Sequence, residues 1–159
     1  MDTYYARHTM VIGIDQPTRE KLWDKRLIAI HSPDNMDGKL PPDKDNSSLN
    51  PYDHSPQGRR RLNALLRLSK NGGFVYAEYW MSDTKVHKVC GIVKPGTPIE
   101  HFYGTWGSRY PGCLGRPADL LGVQLVEIKY DVPVFSGVPA RSTLCQWHSI
   151  GSKVADLFK

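Results

Sequence analysis

No apolar run in this chain approaches the roughly 20 residues that a membrane-spanning helix needs, which argues against a helical membrane protein. The first ten residues, MDTYYARHTM, hold no apolar stretch of the secretory kind. Cysteine is scarce. Cys90, Cys113 and Cys145 are too few, and odd in number, for a disulfide framework. Together these absences lead us to expect a cytoplasmic protein with reduced thiols and no membrane partner. The sequence also has no Gly-rich phosphate loop of the P-loop type, no internal repeat and no low-complexity tract.

What is present reads as one globular domain spanning 1–159, with 40% hydrophobic and 23% charged residues. The net charge of +5 is unevenly placed: residues 1–57 carry 7 Lys/Arg against 9 Asp/Glu, whereas residues 58–159 carry 14 against 7. A basic half of this kind suits a face that meets a polyanion.

ARHTMVIGI (6–14) reads as a strand, Pro17 opens a short helix running to Arg26, and RLIAIHS (26–32) is a second, fully buried strand. Residues 32–58 form a long acidic, proline-rich loop with no periodicity. QGRRRLNALLRLSKNGG (57–73) is the clearest helix, with an apolar stripe of Leu62, Leu65 and Leu66, extended by Leu68, and an Asn71-Gly72-Gly73 stop. Arg59, Arg60 and Arg61 oppose the helix dipole in its first turn. That placement suits either a bound anion or pairing with the acidic loop.

Further strands are expected at 73–80, 86–93, 123–130 and 142–148, with a Gly/Pro-rich loop at 104–122 and a closing helix from Ser152 to Phe158. In GFVYAEYW, Phe74, Tyr76, Glu78 and Trp80 face one way and Val75, Ala77 and Tyr79 the other. About six strands with two or three short helices give an α+β class and suggest a small mixed β-barrel.

Three chemistries compete for these residues. His87-x-x-Cys90 and Cys145-x-x-His148 carry zinc-ligand types, but residues three apart in a strand face opposite ways, so the cysteines read as small apolar groups and no metal or other cofactor is expected. Asp119, Glu127 and Lys129 are the acids and lysine of a PD…(D/E)-x-K pattern, an alternative Mg²⁺-dependent nuclease, although the seven residues between the acids leave little room for a hairpin. The favoured reading is non-enzymatic. Rings at Trp80, Trp106 and Trp147, with Tyr79 and Tyr110, would hold a base, and Arg59, Arg60, Arg61, Arg67, Arg109 and Arg116 would hold phosphates of DNA or RNA. A further alternative is a protein-interaction module whose basic helix docks on an acidic partner within a larger assembly.

The stretches VYAEYW with KVCGIVKPGTPIEHF, then LGVQLVEIKYDVPVF, then TLCQWHSIGSKVADLF resemble the PUA-like superfamily, which includes EVE, YTH and ASCH domains. The resemblance covers about residues 74–158 and leaves out the 32–58 loop. It implies a small barrel that takes a modified or flipped base in an aromatic cage, with Trp80 and Trp106 as cage candidates by position. A few ASCH members of that superfamily cleave RNA.

Overall fold

Among the described residues, eight strands divide between two sheets, and three α-helices pack around them. A computed structural model of the chain describes residues 1–8, 14–31, 48–54, 56–107, 115, 117–130, 132, 135–139 and 144–159, without the side chains of His31 and Gln57. In chain order the elements are β1 (Thr3–His8), α1 (Gln16–Lys25), β2 (Leu27–His31), α2 (Pro56–Asn71), β3 (Gly73–Trp80), β4 (Val86–Val93), β5 (Glu100–Thr105), β6 (Pro117–Gln124), β7 (Val126–Lys129), β8 (Leu144–Gln146) and α3 (Gly151–Asp156). A five-stranded sheet runs β7-β4-β3-β1-β8 and a three-stranded sheet runs β2-β6-β5. The class is α+β, and the described strands form these two sheets without closing into a barrel. β1 and β3 pair in parallel, so the larger sheet is mixed.

Local chemistry explains the helices. Asp15 caps α1 by accepting from the Thr18 backbone N–H at 3.0 Å and the Thr18 hydroxyl at 2.6 Å. Arg26 ends it in the left-handed region, at φ 54. On α2, Leu62, Leu65 and Leu68 are all fully buried, and Gly72 stops the helix at φ 70. A side chain at Gly72 would also meet the Val93 carbonyl at 2.6 Å, so that position needs glycine twice over.

The alternation expected along β3 matches what the packing shows. Val75, Ala77 and Tyr79 enter the main core, which lies between the sheets and under α2. Tyr76 and, at its edge, Phe74 enter a second cluster on the other face of the large sheet, with Tyr5, Cys90, Phe135, Trp147 and Val154 of α3.

The region expected to be a loop at 104–122 differs most. It contains most of β6, which is buried from Ala118 to Val123, and the end of β5. Pro117 is the first residue of its strand, where a missing N–H is tolerated. Gly104 is required by contact, because a Cβ there would lie 2.2 Å from Cγ2 of Thr18. The single strand expected at 123–130 is two strands in different sheets, broken at Leu125, whose N–H donates to the Arg26 carbonyl at 2.9 Å. β7 carries a bulge against β4, and Glu127 within it sits at φ 51.

One buried histidine joins the two sheets. His8 Nδ1 lies 3.0 Å from the Glu78 carbonyl on β3, and its Nε2 accepts the Ala29 N–H of β2 at 3.1 Å. That pairing assigns the proton to Nδ1. The ring also stacks on Tyr79 at 4.4 Å.

Candidate functional site

The second face of the large sheet can be read as rows across β4, β3 and β1. The first row is Ile92, Phe74 and Thr3, and the next is Cys90, Tyr76 and Tyr5. α3 and Phe135 cover these rows: Ile150, Val154 and Phe135 pack with Tyr5 and Tyr76, and Phe158 meets Phe74 at 5.5 Å. Tyr5 and Tyr76 stack at 5.9 Å, and Trp147 meets Tyr5 edge-on at 5.7 Å. Burial raises the Tyr76 phenol, and burial pushes the Cys90 thiol up to about 12.

The third row is polar. Glu78 on β3 has Lys88 of β4 and Arg7 of β1 as its register partners, one on each side. Register partners share a face, and neighbouring strands lie about 4.8 Å apart. Glu78 is 5% exposed, and Tyr5 donates its hydroxyl to Glu78 Oε1. Burial first, then that hydrogen bond and the Glu78 charge, raise the Tyr5 phenol. Neither Arg7 nor Lys88 forms an ion pair with Glu78 among the described residues, although a buried carboxylate ordinarily has one. Arg7 Nε is buried without an acceptor among the described residues, and so is the indole Nε1 of Trp80, one row further along. Arg7, Lys88 and Trp80 are all half-buried, so the row lies at the edge of the solvent.

The sequence-predicted rings divide by burial. Trp80 borders this row. Tyr79 is fully buried in the main core and donates to the Leu27 carbonyl at 2.7 Å. Trp106 is 1% exposed, bridged to Ile14 at the end of β5, and Trp147 belongs to the second cluster. Tyr79, Trp106 and Trp147 are therefore buried core residues among the described residues. Tyr110, Arg109 and Arg116 lie outside the described residues.

The arginines of α2 divide too. Arg59 donates to the carbonyls of Pro51 at 3.1 Å and His54 at 3.4 Å, holding the turn before the helix, and its guanidinium sits 5.2 Å from the ring of the exposed Tyr52. Arg61 is partly buried, and burial lowers its pKa. Arg60, Arg67 and Lys70 form one exposed stripe about 15 Å long, on a helix without a single acid. Arg67 donates to Gln146 of β8 at 3.0 Å, at the edge of the large sheet; α2 packs on the core face of that sheet, and Arg7 lies on the opposite face.

Asp119, Glu127 and Lys129 are not brought together. Asp119 is buried in the small sheet, 3.5 Å from His101, while Glu127 and Lys129 lie exposed on β7 of the large sheet. The five strand steps from Asp119 to Gln124 alone span roughly 16 Å. The zinc-ligand types are also apart: His87 stacks on Trp23 while Cys90 packs in the second cluster. No group of three His, Cys, Asp or Glu able to hold a metal occurs among the described residues.

An open hollow of about 610 Å³ lies between α1 and the β3–β4 turn, lined by Glu20, Asp24, Met81, Lys85 and the stacked Trp23–His87 pair. The His87 ring lies 4.1 Å from Trp23 and the Arg26 guanidinium 3.7 Å from it. Two groups that close cannot share one face, so both faces of Trp23 are taken. Burial, with Lys85 and Arg26 nearby, lowers the His87 pKa.

Sequence reasoning missed Arg7, Lys88, Tyr5 and Glu78 as a group. A glutamate at an inward position of an otherwise apolar strand was the signal that pointed to them. Comparison with protein-family models, curated proteins and solved structures finds no match. Among the described residues, no helix is long and apolar enough to cross a membrane.

Proposed function

We propose that this chain is a nucleic-acid-binding module, in which the Arg60–Arg67–Lys70 stripe takes phosphates and the Lys88–Glu78–Arg7 row with Trp80 takes a base. The observation that carries this reading is the row itself: a buried carboxylate between two cations that do not pair with it, beside donors on Arg7 and Trp80 that meet no acceptor. Buried polar groups are ordinarily satisfied, so an unpaired set on residues that are themselves half-buried suits a ligand that supplies both donors and acceptors along a flat edge. The acid-free stripe supports the second half, since a helix face of cations alone attracts a polyanion. The PUA-like resemblance, with its base pocket on a mixed β-architecture, belongs to the same proposal.

The test is titration of short labelled single-stranded DNA and RNA, read by fluorescence anisotropy at two salt concentrations. Three phosphate contacts predict a slope of about −2 in log K against log salt, so raising salt fourfold weakens binding about 20-fold. Binding indifferent to salt, or no binding at low salt, overturns the proposal.

A further inference from the structure

Across the strands the polar row offers a donor, an acceptor and a donor: Lys88 Nζ, the Glu78 carboxylate and the Arg7 guanidinium, in register order. Tyr5 donates to Glu78 Oε1, which occupies that oxygen and leaves Oε2 for another partner. The half-buried Trp80 ring lies one row beyond Glu78 on the same face.

We infer that this row reads the imide edge of uracil or thymine, in which a ring N–H lies between two carbonyl oxygens. That edge is acceptor, donor, acceptor, the complement of the row. The N3–H donates to Glu78, and the flanking carbonyls accept from Lys88 and Arg7. Adenine and cytosine place a lone-pair ring nitrogen where Glu78 needs a hydrogen, so two acceptors face each other. Guanine sets a second donor against one of the cations. Each mismatch leaves a buried polar group unpaired, which is the strongest source of discrimination a hydrogen-bonding site has.

This inference rests on the nucleic-acid reading, and the experiment separates the two. Single strands of adenines carrying one central thymine, N3-methylthymine, adenine or cytosine are titrated against the full chain, and free uridine monophosphate is titrated alongside. The thymine strand is expected to bind at least about tenfold more tightly than the adenine or cytosine strand. N3-methylation, which replaces the ring N–H with a methyl group, is expected to abolish that advantage. Glu78→Gln keeps an oxygen for the Tyr5 hydroxyl but turns an N–H donor towards the ligand, and it is expected to erase the preference. Lys88→Met, at a half-buried position, is expected to reduce the preference while salt-dependent binding persists. Equal, salt-sensitive binding of all four strands overturns the imide reading and leaves nucleic-acid binding standing. Preferential binding of free uridine monophosphate with no strand bound overturns nucleic-acid binding and keeps the imide site. Failure of every ligand at low salt overturns both.

Discussion

Acidification is expected to weaken this fold through His8 before it acts through most other groups. His8 is 4% exposed, and burial pushes its pKa down to about 4, against an ordinary 6.5. Both ring nitrogens are engaged, with Glu78 and Ala29, so no position is left for a second proton. A histidine whose folded pKa lies below its unfolded value leaves the folded state holding fewer protons between the two. Stability therefore rises with pH across that window and is lost as pH falls from about 6.5 towards about 4. A difference of about 2.5 pKa units corresponds to on the order of 3 kcal/mol, a sizeable part of a typical domain's stability. The assay is urea denaturation at several pH values between about 4 and 7.5, comparing the wild type with His8→Gln. The variant loses stability at neutral pH, because the sheet-to-sheet bonds and the stack on Tyr79 weaken, but its profile is flatter across the window. Carboxylates titrate in both proteins, so the difference between the two profiles isolates His8. Parallel profiles would refute the reasoning.

Four other outcomes are expected. Trp106→Ala should cost about 3–5 kcal/mol in denaturant midpoint analysis, because the indole is buried in the core; a small loss would place the ring at the surface. Gly104→Ala should destabilise by about 1–3 kcal/mol through its contact with Thr18, and Thr18→Ser, which removes the clashing methyl, should restore part of that in a double-mutant cycle. Glu127→Gly should be neutral or stabilising by up to about 1 kcal/mol, since the residue is exposed at φ 51 and only glycine occupies that region without cost. Replacing Arg60, Arg67 and Lys70 with glutamine should flatten the salt dependence of nucleic-acid binding by about 2 in log–log slope, with the melting temperature little changed.

The parts of this fold that local pattern specifies were legible. The leucine period and the Asn71-Gly72-Gly73 stop placed α2, and alternation assigned each residue of β3 to the face it occupies. β5 and β6 were not legible, because glycine and proline usually mark loops. Here Gly104 makes room for Thr18, and Pro117 merely begins a strand, two tertiary reasons that no local window contains. Trp106 was misread for the same cause, since its Gly-rich surroundings resemble an exposed loop while its backbone bridges to Ile14. The polar row depends on the parallel register that sets Arg7 beside Glu78, 71 positions on in the chain, and register between distant strands is fixed by packing, not by sequence neighbours. The arginines at the start of α2 posed a choice between an anion and the acidic loop. Arg59 instead serves two backbone carbonyls.

The central claim is that the open end of the second sheet face engages a base, and the indole N–H resonances of the four tryptophans report on it directly. On titration with a thymine-bearing single strand, the Trp80 resonance is predicted to shift as the base docks beside its half-buried ring, while that of the buried Trp106 stays in place. A Trp80 resonance that does not move while the strand is bound, with the change appearing at Trp23 instead, would contradict the account.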